Sequence, residues 1–138
     1  MKVILASHGQ LASGLKSSIE IILGQQEHLY ALDMYIDEET LEEKVQSILA
    51  RTDKDEKVTV LTDVFGGSVN QKMIKLFDLN KVNILTGMNL PMLLELLTAN
   101  LDELDSTKIN RIIASTKDQV IYVNDYLATD DDEDDFLD

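Results

Sequence analysis

A histidine, an aspartate and a Gly-Gly-Ser run, each placed where an apolar stretch gives way to a loop, are the residues of this chain whose types can do chemistry together. His8 follows the run Lys2-Val3-Ile4-Leu5-Ala6-Ser7, with Gly9 beside it to let a ligand approach the backbone. A neutral imidazole has a lone pair on one nitrogen and a proton on the other, and a neighbouring carboxylate decides which is which. Asp63 is the candidate carboxylate, because it ends a third strand-like run and adjacent parallel strands bring their carboxyl-side loops within side-chain reach. If Asp63 accepts the Nδ1 proton, Nε2 is free to attack phosphorus, and the same carboxylate stabilises the cationic ring that forms.

A phosphoryl group on His8 needs hydrogen-bond donors rather than a base, since transfer between two good nucleophiles depends on positioning and charge neutralisation. Gly66-Gly67-Ser68 offers them. The glycines let backbone N–H groups converge on an anion, Ser68 adds a hydroxyl, and the helix that follows presents its positive end. Gly9, Gly66, Gly67 and Ser68 are therefore the expected phosphate-binding set. One helix terminus contributes only about 0.3–2 kcal/mol, and several donors together hold phosphate without trapping it. Each residue also has a plainer use: Asp63 as a turn cap, the glycines as carriers of unusual backbone angles, the histidine as a surface residue. His28 precedes the second strand, at the other end of the sheet from His8, and reads as structural or solvent-exposed.

The elements that must position these groups alternate regularly. Val3–Ala6 is a continuous apolar run, the pattern of a strand buried on both faces. Leu11, Leu15, Ile19, Ile22 and Leu23 then recur at helical spacing, with Gly24 placed to stop the helix. Leu29–Ile36 reads as a second strand, and Thr40 with Glu43 as a capping box opening a helix through Leu41, Val45 and Ile48. Val58–Thr62 is the third strand, and a helix carrying Val69, Met73 and Phe77 follows Ser68. Lys81–Thr86 is a fourth strand, Gly87-Met88-Asn89 a turn, and Pro91 suits the first turn of a helix reaching Leu97. A helix near Lys108–Ala114 and a short last strand at Val120–Val123 complete the pattern. This alternation implies an α/β fold: a doubly wound, mostly parallel four-stranded sheet with helices on both faces, plus the short late strand. Ligands in such folds sit outside the carboxyl ends of the strands, which directs attention to the loops at residues 7–9, 36–39, 63–68 and 87–91.

Composition bounds the rest. The chain has 138 residues, the size of one domain, and a net charge of −14, which argues against a nucleic-acid partner. Half of that excess lies in residues 130–138, seven acids with no base; without them 19 acids face 12 bases. Residues 1–127 read as one domain and 128–138 as an acidic, disordered tail. No apolar run approaches the length of a membrane span, the start lacks the pattern of a secretory signal, and cysteine is absent, so a cytoplasmic protein without disulfides, metal or cofactor is expected.

The conjunction of S-H-G at residues 7–9, T-D-V-F-G-G-S-V-N at 62–70 and G-M-N-L-P-M-L at 87–93 resembles the enzyme IIA component of mannose-class sugar phosphotransferase systems. The order and spacing match over nearly the whole chain except the tail. The resemblance implies that His8 accepts a phosphoryl group from the histidine phosphocarrier protein and that Asp63 orients it. It further implies that Gly66, Gly67 and Ser68 lie against the phosphoryl group. It implies a homodimer in which the strand near Val120–Val123 pairs with the partner's sheet. It implies delivery to an enzyme IIB; the chain ends before any such domain, so a separate IIB is expected, with Phe65, Met88 and Leu90 as exposed apolar docking contacts. The sequence departs from many members at Val69, where a proline-phenylalanine pair precedes the asparagine, and at Phe65, often tryptophan; both changes leave the chemical groups in place.

Rival readings fit less well. A histidine phosphatase carries R-H-G-E or R-H-G-Q after its first strand, and residues 7–10 read S-H-G-Q, without the arginine or a second histidine at the same site. A receiver domain needs acids after the first strand to bind magnesium, where Ser7-His8 stand. A flavodoxin-like binding module needs a run of hydroxyl residues in the first loop, which is missing. A Ser7-His8-Asp63 hydrolase fails because neighbours on a strand point to opposite faces.

Overall fold

Strand β1 (Lys2–His8) is the spine of the sheet, flanked in parallel by β2 (Leu29–Met34) on one side and β3 (Val58–Thr62) on the other, with β4 (Asn83–Leu85) beyond β3. A computed structural model describes residues 1–100 and 103–129. The chain falls into two compact units, one running from Met1 to Leu104 and one beginning at Asp105. The sheet order β2-β1-β3-β4 makes the first crossover step one way from β1 and the next step the other way. The loops after β1 and β3 therefore part from each other, and the crevice between them is the position where such folds bind ligands.

Alternation along β1 supplies two faces. Ile4 and Ala6 pack with Leu32, Met34, Val58 and Val60 against helices α2 (Leu41–Leu49) and α3 (Ser68–Leu76), through Val45, Ile48, Val69 and Met73. Val3 and Leu5 are buried on the opposite face, where α1 (Leu11–Leu23) meets α4 (Leu90–Thr98) and Ile19, Met92, Leu93 and Leu96 are inaccessible. Complete burial of Ile4 and Leu5 contributes about 1.5–3 kcal/mol each, which anchors the strand that ends at His8.

Local signals set the helix ends. Thr40 and Glu43 form a reciprocal capping box at α2, with both bonds at 3.2 Å. Asn89 accepts from Met92 N–H at 2.9 Å at the start of α4, with Pro91 in the first turn. Gly24 closes α1 at φ 85°. Gln10 does not cap α1 with its side chain; instead Ser7 Oγ accepts from Ala12 N–H at 2.8 Å and Asp33 Oδ1 from Ser13 N–H at 3.0 Å. Two strand residues on that face thus accept the N–H groups at the positive end of α1.

In the second unit α5 (Ser106–Lys117) is capped by Asp105, whose Oδ1 accepts from Lys108 N–H at 2.8 Å. The late strand expected at Val120–Val123 is absent: residues 120–122 have no regular structure and Val123 begins α6 (Val123–Thr129). A strand forms only where a neighbouring strand offers its backbone, and β-branched composition cannot substitute for that partner. Ala128 and Thr129, which composition assigns to the tail, close α6, and residues 130–138 lie outside the described residues.

Among the described residues, one buried side-chain polar atom lacks a partner. Thr59 Oγ1, on the central strand β3, is buried without a hydrogen bond. Burying an unpaired hydroxyl costs about 1–3 kcal/mol in proteins. Thr59→Val should raise the unfolding free energy in urea by about 1 kcal/mol or more; a loss of stability would show that the hydroxyl is satisfied in solution.

Candidate functional site

The register between β1 and β3 places the site. Ala6 pairs with Thr62, so Asp63, one residue further, comes beside His8 at the top of the sheet. Asp63 Oδ2 stands 2.7 Å from His8 Nδ1 and also accepts the His8 backbone N–H at 2.9 Å, while Oδ1 accepts Val64 N–H at 2.9 Å. The carboxylate is nearly enclosed, its side chain 7% exposed, whereas the His8 side chain is 47% exposed. Burial pushes the Asp63 carboxyl up, but the bonds from His8 N–H, the His8 ring and Val64 N–H, together with the charge of His8, outweigh it and hold the group below its ordinary value. A carboxylate so held is an acceptor only; Nδ1 therefore carries the proton and the lone pair stays on Nε2.

Nε2 faces Ser68. Ser68 Oγ is 3.3 Å from Nε2 and 2.7 Å from the hydroxyl of Tyr35, whose ring centroid lies 5.3 Å from that of His8. Ser68 is the first residue of α3, where main-chain N–H groups have no partner within the helix.

Gly66, at φ 77°, is the third residue of a turn closed by Gly67 N–H donating to Val64 O at 3.1 Å, a position that demands a positive φ. Gly67 packs under the imidazole: a Cβ there would stand 3.2 Å from Val64 O and 3.7 Å from His8 Cε1. Gly66 N–H donates to Asn70 Oδ1 at 3.1 Å and Gly9 N–H to Met34 O at 2.9 Å. All three glycine N–H groups thus have partners inside the protein, and of the four residues expected at the phosphate Ser68 is the one with a side-chain donor at Nε2.

A buried polar chain secures the turn. Asn70 Nδ2 donates to Thr62 Oγ1 at 3.0 Å, Thr62 Oγ1 donates to Thr86 Oγ1 at 2.9 Å, and Met88 N–H donates to Thr62 O at 3.0 Å. Asn70 is 2% exposed, so its amide fastens the Gly66 turn to the end of β3 from within.

Around His8 the apolar rim differs in part from expectation. Phe65 is 81% exposed, as anticipated, but Met88, whose N–H donates to Thr62 O, is buried, and Leu90, the first residue of α4, is half-buried. Val64, Tyr35 and Ile36 in the loops, and Leu11 at the start of α1, are further exposed large apolar residues at this end of the sheet. His28 stands just before β2, at the opposite end of the sheet. Among the described residues there is no cluster of three His, Cys, Asp or Glu side chains able to hold a metal, and no helix long and apolar enough to cross a membrane. Ser7 is fully buried and bonded to Ala12 N–H and Gly9 O, away from Asp63, which removes a serine nucleophile.

Sequence reasoning missed Tyr35 and Lys72. Lys72 lies one helical turn beyond Ser68 on α3, with Nζ 5.6 Å from the Tyr35 ring centroid. The i, i+4 spacing from Ser68 could have located it; the positive φ of Tyr35, 66°, has no signal in the residue type.

A family model described as "PTS system fructose IIA component" matches residues 2–124. The mannose-specific EIIAB component of Escherichia coli K12 is 35% identical over 104 residues, 73% of this chain and 32% of the relative, so the chain spans about a third of that protein's length. The fructose-specific EIIA component of Bacillus subtilis 168 is 32% identical over 101 residues, 71% of this chain and 69% of the relative. Among solved structures, a phosphoenolpyruvate-dependent sugar phosphotransferase system permease from Klebsiella pneumoniae superposes with a TM-score of 0.82 at 31% identity, covering 91% of this chain and 93% of that one. A IIA protein associated with the fucose utilization operon of Streptococcus pneumoniae does so with a TM-score of 0.75 at 27% identity, covering 91% and 95%.

A depressed carboxylate contributes stability that is complete above the unfolded aspartate value of about 3.9 and is lost as the pH falls through its lower folded value. The stability difference between the wild type and Asp63→Asn, measured by urea unfolding, should therefore be full near neutral pH and shrink below about pH 3.9. A difference that does not change with pH would mean that Asp63 has no such preference for ionisation in the folded state.

Proposed function

The chain belongs to the mannose-class enzyme IIA family of the sugar phosphotransferase system, a transferase component of sugar transport, and from that membership we propose that it is a phosphocarrier working through a phosphohistidine at His8. The observation that carries this reading is the 2.7 Å contact between Asp63 Oδ2 and His8 Nδ1, which leaves Nε2 as a lone pair at a half-exposed ring. The donor is the histidine phosphocarrier protein and the acceptor an enzyme IIB on a separate protein, both met in the cytoplasm. In the first transfer the Nε2–P bond forms as the P–N bond of the donor breaks, and the donor ring leaves with that electron pair. Asp63 offsets the positive charge on the His8 ring.

Weak retention suits a carrier. The phosphoryl group meets Ser68 and the first turn of α3 and is otherwise open to solvent, so it can be surrendered to the next histidine. Phe65, Val64, Leu11 and Ile36 give both partners an apolar surface to dock on. We read residues 1–127 as the single IIA domain, which the match over residues 2–124 supports. A homodimer in which residues 120–123 pair with a partner's sheet belongs to the same proposal; Val120, Ile121, Tyr122 and Val123 are all exposed and apolar.

Incubation with phosphoenolpyruvate, enzyme I and the histidine phosphocarrier should add the mass of one phosphoryl group, labile to acid and absent in His8→Ala. No mass shift in the folded wild type would refute the carrier role. Asp63→Asn should slow the transfer by about 10–100-fold, the equivalent of one charge-assisted hydrogen bond; an unchanged rate would reduce Asp63 to a turn cap. Transfer from already phosphorylated donor should survive EDTA, and its loss would require a metal step this reading does not contain.

A further inference from the structure

The hydroxyls beside Nε2 form a directed chain. With Asp63 as acceptor, Nδ1 carries the ring proton and Nε2 has none to give, so the 3.3 Å contact has Ser68 O–H as donor. A hydroxyl has one proton, so the 2.7 Å contact between Ser68 Oγ and the Tyr35 hydroxyl has Tyr35 as donor. The order runs Tyr35 to Ser68 to His8. Tyr35 holds this place against its backbone preference, at φ 66°, a region that bulky residues seldom occupy and that clusters at functional sites. Its ring is tilted 39° to the His8 ring, and Lys72 approaches its π-face region from the next turn of α3.

Resting on the carrier reading, we propose that Tyr35 is a positioning residue for phosphotransfer. Its hydroxyl holds and polarises the Ser68 hydroxyl at the Nε2 end of His8. When Nε2 bonds to phosphorus and the donor nitrogen departs with the electron pair of the broken bond, Nε2 no longer has a lone pair to offer. The Ser68 proton then turns to a phosphoryl oxygen, while Tyr35 keeps its own proton on Ser68 Oγ. No proton leaves His8 in the step, since Nδ1–H remains on Asp63. Tyr35 acts through Ser68, and removing Ser68 must make the Tyr35 hydroxyl irrelevant.

The test is a double-mutant cycle in the full chain with two readouts. The first is the rate of phosphoryl uptake from the phosphorylated histidine phosphocarrier. Tyr35→Phe should slow it about fivefold in the wild type, the size of one neutral hydrogen bond, and less than about 1.5-fold in Ser68→Ala. The second is the ¹⁵N resonance of His8 Nε2 in unphosphorylated protein, read at a pH where the spectrum shows the ring to be neutral. Tyr35→Phe and Ser68→Ala should each shift it downfield, toward an imidazole nitrogen that accepts no hydrogen bond, and Tyr35→Phe should add nothing in the Ser68→Ala background. Equal losses of rate in both backgrounds, or an Nε2 resonance unmoved by Tyr35→Phe, would overturn the proposal. Failure of the wild type to take up phosphate would instead remove the carrier reading, and the Nε2 resonance would still decide whether Tyr35 governs the Ser68 bond.

Discussion

Asp63 grips His8 twice through one oxygen, at the ring and at the main-chain N–H, and this double hold is the constraint on which the site depends. A side chain at the end of a strand ordinarily rotates among staggered positions. Here the second bond ties the carboxylate to the strand itself, so the first can fix both the rotamer and the tautomer of the ring. Because Oδ1 is occupied by Val64 N–H, the carboxylate has little freedom to follow a proton away. It orients the ring, and the nitrogen that it does not touch keeps the lone pair.

That hold requires the sheet to bring two distant segments to one level. The pairing of Ala6 with Thr62 does so, and the interior behind it is shaped to keep the level from slipping. A shift of one residue would exchange the faces of β1 and drive His8 toward α1 and α4. The chain of Asn70, Thr62 and Thr86 prevents the loop after β3 from relaxing, and Gly67 lets that loop lie close against the imidazole. The positive end of α1 is occupied by Ser7 and Asp33, whereas the first residue of α3, Ser68, stands beside His8 Nε2. Buried polar bonds thus set the geometry, and the apolar faces of the sheet hold those bonds in place.

Much of this was legible in the residues. The alternation of apolar runs located the four strands, Thr40 with Glu43 and Pro91 after Asn89 marked helix starts, and Gly24 marked a helix end. His8 and Asp63 were legible because strand ends in parallel sheets share one edge. The N–H partners of Gly9, Gly66 and Gly67 were not, since residue type signals backbone freedom but not where an N–H points once the turn has closed. Met88 and Leu90 were taken as exposed because the boundary of α4 decides their orientation. Tyr35 was hidden in what reads as the continuation of β2, and only its left-handed backbone turns it back over His8. Val120–Val123 has strand composition without a strand beside it, and composition cannot supply the missing edge.

The central claim is that Asp63 assigns the phosphoryl group to one nitrogen of one histidine. Heteronuclear ³¹P–¹⁵N NMR of the phosphorylated protein, labelled with ¹⁵N in its histidine rings, reads that assignment directly. The account predicts a single phosphorus resonance coupled to His8 Nε2, with Nδ1 still bearing its proton. A phosphorus coupled to Nδ1, or carried by His28, would contradict it.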